Sequence, residues 1–147
     1  MTHSATLLQR VARNLPRGTH AHWLLRLPLA LVLLNQGYNK FPLSDAMAEG
    51  FGVPYFMWIM AAVGEVAVGL LLIIGGFLRG PLGDLTTRIA GLGTAAIIAG
   101  VIYVAYWAPP IEILLFNQFH VLLLAGGLYL ALTGKPSARR VVMAEAY

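Results

Sequence analysis

The chain contains no cysteine. That excludes disulfide exchange, thiolate metal sites and iron–sulfur clusters as functions of its own side chains. Charge is nearly as scarce. Charged residues make up 11% of the 147 positions, where a soluble domain carries about a quarter. Sustained alternation of apolar and polar residues is also missing, which argues against a membrane β-barrel. What remains is apolar: 59% of the chain is hydrophobic, largely in continuous runs.

Four such runs can be marked, at roughly 23–41, 54–78, 88–107 and 112–133. Each is about long enough to cross a ~30 Å hydrocarbon core as a helix. The expected fold is all-α: an integral membrane four-helix bundle over 23–134, a short amphipathic helix within 1–22, and a tail at 135–147. In HSATLLQRVARNLPR, Leu8, Val11, Ala12 and Leu15 keep helical spacing with Arg10 and Arg13 interleaved, as in a surface-lying helix. A signal peptide is the weaker reading, because no small-residue cleavage pattern follows LPLALVLL. Pro28 is expected to loosen the first helix near its start. SDAMAEGFGVPY should form a small cap or re-entrant turn, RGPLGDLTT a short loop, and APPIE a tight hairpin. Small residues (Gly75, Gly76, Ala95, Ala96, Ala99, Gly100, Gly126, Gly127) should let helices approach closely.

The net charge of +4 reads as topology rather than nucleic-acid binding. Nine of the ten Lys and Arg residues fall on one side of this threading, and only Lys40 joins Asp45, Glu49 and Glu112 on the other. The positive-inside rule then places both termini in the cytoplasm, with the 42–53 segment and the 108–110 loop outside the inner membrane.

Threaded this way, the spans gather Asn35, Gln36, Asn39, Lys40, Glu65, Asn117, Gln118 and His120 in one half of the bilayer. By helical rise, Glu65 lies near the midplane, His120 and Asn35 about 4–5 Å outward, and Lys40 about 10–12 Å outward. A carboxylate at that depth needs a partner or a proton. Lys40 is the nearest cation from one side and Arg26 from the other. Glu65 can serve proton or ligand chemistry, or tie helices together. His120 can hydrogen-bond a quinone carbonyl, relay a proton or ligate a metal, or be satisfied by Glu65 or a tyrosine. Gln36, Asn39 and Lys40 share one helical face, and Asn117 and His120 another. Asn35 points elsewhere and fits a protomer contact as well as a pocket. Tyr103, Tyr106, Trp107, Phe51, Tyr55, Phe56 and Trp58 read as an interfacial aromatic belt. No second span histidine accompanies His120, so neither a bis-histidine haem nor a metal centre is expected.

RLPLALVLLNQGYNKF, GEVAVGLLLIIGGFLR and NQFHVLLLAGGLYLALTG together resemble the DoxX family of four-span membrane proteins. The resemblance rests on Arg26, on Gly37 with Lys40 and Phe41, on Glu65 before a Leu/Gly-rich run, and on Asn117. It implies a four-helix bundle linked to redox metabolism; relatives include a subunit of a thiosulfate:quinone oxidoreductase. The cysteine chemistry of more distant relatives is not carried over.

Three functions are then expected in descending order. The first is a quinone-linked subunit of a membrane oxidoreductase. In it Glu65 and His120 act on protons, Gln36, Asn39, Lys40 and Asn117 hold the headgroup, and a redox partner protein supplies electrons. The second is a non-enzymatic accessory subunit of a larger membrane complex. The third is a small proton-coupled transporter. The lipid bilayer is the constant partner, and homo-oligomerisation is left open.

Overall fold

The computed structural model describes residues 20–135; the expected amphipathic helix and the distal tail lie outside them. Six helices follow in order: α1 (His22–Tyr38), α2 (Asp45–Gly50), α3 (Tyr55–Phe77), α4 (Gly80–Ala105), α5 (Pro110–Phe116) and α6 (Gln118–Thr133). No strand occurs among the described residues. Four helices form the bundle. α1 packs along α3, α3 along α4 and α4 along α6, while α1 and α6 meet more sparsely. The core is aliphatic, with Leu29, Leu33, Leu72, Ala90, Ile98 and Leu130 almost fully buried. The outside is equally apolar: Leu24, Phe77 and Leu132 are 82%, 73% and 76% exposed. That surface suits lipid, not water, and the chain is a membrane protein.

The spans differ in detail from the expected ones. Among the described residues, α3 and α4 are by themselves long and apolar enough to cross a membrane, and α5 with α6 could make a third crossing as one bent span. α1, at 17 residues, is shorter, and it runs through Pro28 without interruption. The expected loop RGPLGDLTT is instead the start of α4. Gly80 takes φ +66°, a left-handed turn that glycine adopts without strain. Pro81 then sits in the first turn, where its missing N–H costs nothing. Thr87 Oγ1 donates to Gly83 O at 2.6 Å and Arg88 Nε to Asp84 at 2.9 Å, holding the new turns together.

The expected fourth span is broken at Asn117, whose φ of −122° and ψ of 38° leave the helical region. α5 and α6 meet there at 102°. The APPIE hairpin is therefore not tight: the chain leaves α4 at Ala105, runs through α5 and only then turns into α6. At the other end of α6, Arg88 Nη1 donates to Ala131 O and Leu132 O at 3.1 and 2.8 Å. A cation thus satisfies carbonyls that the ended helix leaves free.

Close approach of α4 to α6 uses only part of the expected small-residue set. A methyl group at Gly127 would lie 2.9 Å from Ala95 N and 3.0 Å from Gly91 O, and one at Gly91 would strike Ala131 N. Ala96, Ala99 and Gly100 face outward, with open space at Gly100. Gly91→Ala is therefore expected to push α4 off α6 and cost about 1–3 kcal/mol. Gly100→Ala should be neutral or gain up to about 1 kcal/mol from helix propensity. Denaturant titration in detergent micelles checks the pair, and equal effects at both positions would contradict this packing.

Candidate functional site

α3 sets the site because its inward face repeats with near-heptad spacing. Trp58, Ala62, Glu65, Gly69, Leu72 and Gly76 are all buried along it. Glu65 is 3% exposed near the middle of this helix, facing the bundle rather than lipid. α1 approaches this face because Gly37 has no side chain: a methyl group there would lie 2.9 Å from Ala62 O. The chain leaves α1 at that level, and Lys40 turns back over α3. Its ammonium donates to Glu65 Oε2 at 2.6 Å and to Gln36 O at 3.3 Å. Of the two cations that could pair with Glu65, Lys40 does so.

Trp58 completes the site. Its ring lies 5.4 Å from Lys40 Nζ in a cation–π contact and stacks on Phe51 at 5.0 Å. Only 6% of it is exposed, and its indole N–H has no partner among the described residues. This corrects the belt assignment for Trp58; Phe51, Phe56, Tyr103 and Trp107 do remain exposed. Phe51 is delivered by α2, whose first turn is capped by Ser44 Oγ accepting from Met47 N at 3.3 Å. The short helix thus packs on α3 and carries Phe51 onto the Trp58 ring. A buried carboxylate, the ammonium it holds and the Trp58 ring line up over two turns of α3. That set can accept and donate hydrogen bonds to one polar headgroup and hold a proton in an apolar surround.

The other expected site residues are not drawn into this group. Gln36 and Asn39 are exposed, Gln36 contributing only its backbone carbonyl. Asn117 lies at the α5–α6 break, so it does not share a helical face with His120. The His120 ring packs 4.5 Å from Tyr106 and 5.6 Å from Phe119. Among the described residues no hydrogen bond or ion pair joins His120 or Asn117 to the Lys40–Glu65 pair. Helical rise gives depth but not direction around the bundle, and the bend at Asn117 redirects both residues. A cleft of about 720 Å³ between the end of α4, α5 and α6 is walled by Ile102, Trp107, Pro109, Ile113 and Leu124, none of them part of the pair.

A second buried polar centre lies toward the basic end. Arg26 is 0% exposed. Its Nη1 donates to Leu72 O at 2.7 Å and its Nη2 to Thr87 Oγ1 at 2.9 Å, so one side chain links α1, α3 and α4. Nearby, Lys135 Nζ donates to Gly76 O and Leu78 O at 2.7 and 2.6 Å, closing the end of α3. Burial, with repulsion from Arg26 and Arg79, holds the Lys135 ammonium below the ordinary lysine range. No group of three or more metal-ligating side chains occurs among the described residues.

Trp58 was legible in principle, since it lies seven residues before Glu65 and so on the same helical face. No curated protein and no solved structure matches the chain. The DoxX family model matches residues 21–107, which span α1 to the end of α4 and include Arg26, Gly37, Lys40, Trp58 and Glu65, though not Asn117 or His120. The chain belongs to the DoxX family.

Proposed function

We propose that this DoxX-family protein is a quinone-linked subunit of a membrane oxidoreductase and that the Lys40–Glu65–Trp58 group is its headgroup site. The supporting observation is the buried ion pair at 2.6 Å against the ring of Trp58, whose buried N–H lacks a partner among the described residues. A quinone, when bound, supplies two-electron chemistry coupled to protons. The residues have separate tasks. Trp58 Nε1–H and a free N–H of Lys40 donate to a carbonyl oxygen. The Glu65 carboxylate would take up and return a proton beside it, and Phe51 with α2 would limit water. Lipid-facing surfaces of the bundle suit an isoprenoid tail. Electrons come from a partner redox protein. By the distribution of Lys and Arg, the basic end faces the cytoplasm and the site faces outward across the inner membrane.

One observation favours the accessory-subunit reading instead: the same pair ties the segment after α1 to α3, as a scaffold would. Equilibrium binding of a short-chain ubiquinone analogue to the purified full chain separates the two. Saturable binding, weakened about five- to tenfold by Trp58→Phe through loss of one hydrogen bond, is expected. Absence of saturable binding supports the scaffold.

A further inference from the structure

α1 turns a stripe outward that contains Leu24, Leu27, Leu31, Asn35 and Tyr38, at spacings of three and four residues. The leucines and the tyrosine are 82%, 46%, 55% and 74% exposed, and Asn35 is exposed among them. The depth of Asn35 is fixed by its neighbours. A methyl group at Gly37 would lie 2.9 Å from Ala62 O and 3.0 Å from Val66 N, and one at Gly69 would lie 2.8 Å from Leu34. Asn35 is therefore level with Val66–Gly69, halfway along Tyr55–Phe77. By helical rise it is about 15 Å from either end of α3, well inside a hydrocarbon slab.

At this level the other helices present apolar side chains outward: Ala67 and Leu70 on α3, Leu92 and Ala96 on α4, Ala125 and Leu128 on α6. An amide aimed at acyl chains leaves a donor and an acceptor unsatisfied. Between transmembrane helices such a group is instead a point of attachment. The stripe carries no charge, so it does not call for a partner of opposite charge. An amide offers both donor and acceptor and pairs reciprocally with its own copy across a two-fold axis. The leucines and tyrosine around it have near-heptad spacing, as in a helix–helix seam with one polar position.

The geometry points to a self-association surface on α1: two copies of this chain pack α1 against α1, side by side in the membrane, with Asn35 bonded to Asn35 of the second copy. The adjacent Gln36, whose carbonyl accepts from Lys40 at 3.3 Å, then sets this contact beside the Lys40–Glu65 pair, although the interface does not depend on what that pair binds.

The absence of native cysteine makes single-cysteine crosslinking specific. The full chain is reconstituted in phosphatidylethanolamine–phosphatidylglycerol vesicles at high lipid excess. Leu27→Cys and Leu31→Cys are expected to give oxidative dimers, whereas Leu70→Cys and Leu128→Cys stay monomeric. Asn35→Leu should raise the dimer dissociation constant, read by energy transfer on lipid dilution, about five- to thirtyfold, the value of one interhelical amide contact. Asn35→Gln should keep most of the affinity. Equal crosslinking at Leu128→Cys, no crosslinking at Leu31→Cys, an unchanged dissociation constant in Asn35→Leu, or adducts formed only with other proteins in native membranes would each overturn the proposal.

Discussion

Glu65→Leu is expected to destabilise the bundle by about 3 kcal/mol, because it leaves the Lys40 ammonium without its carboxylate under the Trp58 ring. The side chains of the pair are only 15% and 4% exposed, so water cannot fully take over. Lys40→Met should cost a similar amount by leaving the carboxylate unpaired. The double variant should recover most of the loss, since two apolar groups of similar volume replace the pair cleanly. Glu65→Gln behaves differently. It keeps an oxygen for Lys40 and should cost about 1 kcal/mol. If Glu65 handles protons for a bound quinone, the glutamine variant should assemble normally yet lose about a hundredfold or more in quinone turnover of the complex. Unfolding titrations and quinone-reductase assays on the same membranes check both halves. Full turnover in a well-assembled Glu65→Gln complex would remove the catalytic assignment and leave the pair as scaffold.

Arg26 should show the opposite pattern. Its guanidinium meets neutral oxygens, Leu72 O and Thr87 Oγ1, and Thr87 keeps its own bond to Gly83 O when Arg26 is removed. Arg26→Met removes a buried charge and orphans little, so stability should stay within about 1 kcal/mol or rise. Arg26→Lys retains the charge but loses the planar fork that reaches two helices at once, and should cost about 2–4 kcal/mol. The conservative change is thus expected to be the damaging one. Thermal unfolding in detergent with Arg26→Met lower than Arg26→Lys would show that the charge itself, and not the geometry, holds the three helices.

How much of this was legible in the sequence depends on the kind of information each feature needs. The all-helical membrane class follows from continuous apolar runs, and Glu65 facing inward follows from the cost of placing a carboxylate in lipid. Lys40 as its partner follows from charge and depth together. Azimuth does not follow from depth. His120 and Asn35 lie at similar expected depths, yet one packs on Tyr106 and the other faces outward. The break at Asn117 is hidden because the polar residues of FNQFH read equally well as a site within a span, and no glycine or proline marks the turn. RGPLGDLTT showed the reverse error. Its glycine and proline suggested a loop, but Gly80 makes the turn alone and Pro81 begins the helix. Trp58 reads as a belt residue because aromatic residues near a span end usually are. Its place on the Glu65 face decides otherwise.

The most direct measurement of the central claim is an experimental density map of the full chain with a saturating short-chain ubiquinone analogue. The account predicts headgroup density beneath Phe51, with one oxygen within hydrogen-bonding distance of Trp58 Nε1 or Lys40 Nζ and Glu65 alongside. A map in which Lys40, Glu65 and Trp58 close on one another as they do here, with the headgroup bound elsewhere or not at all, would contradict it.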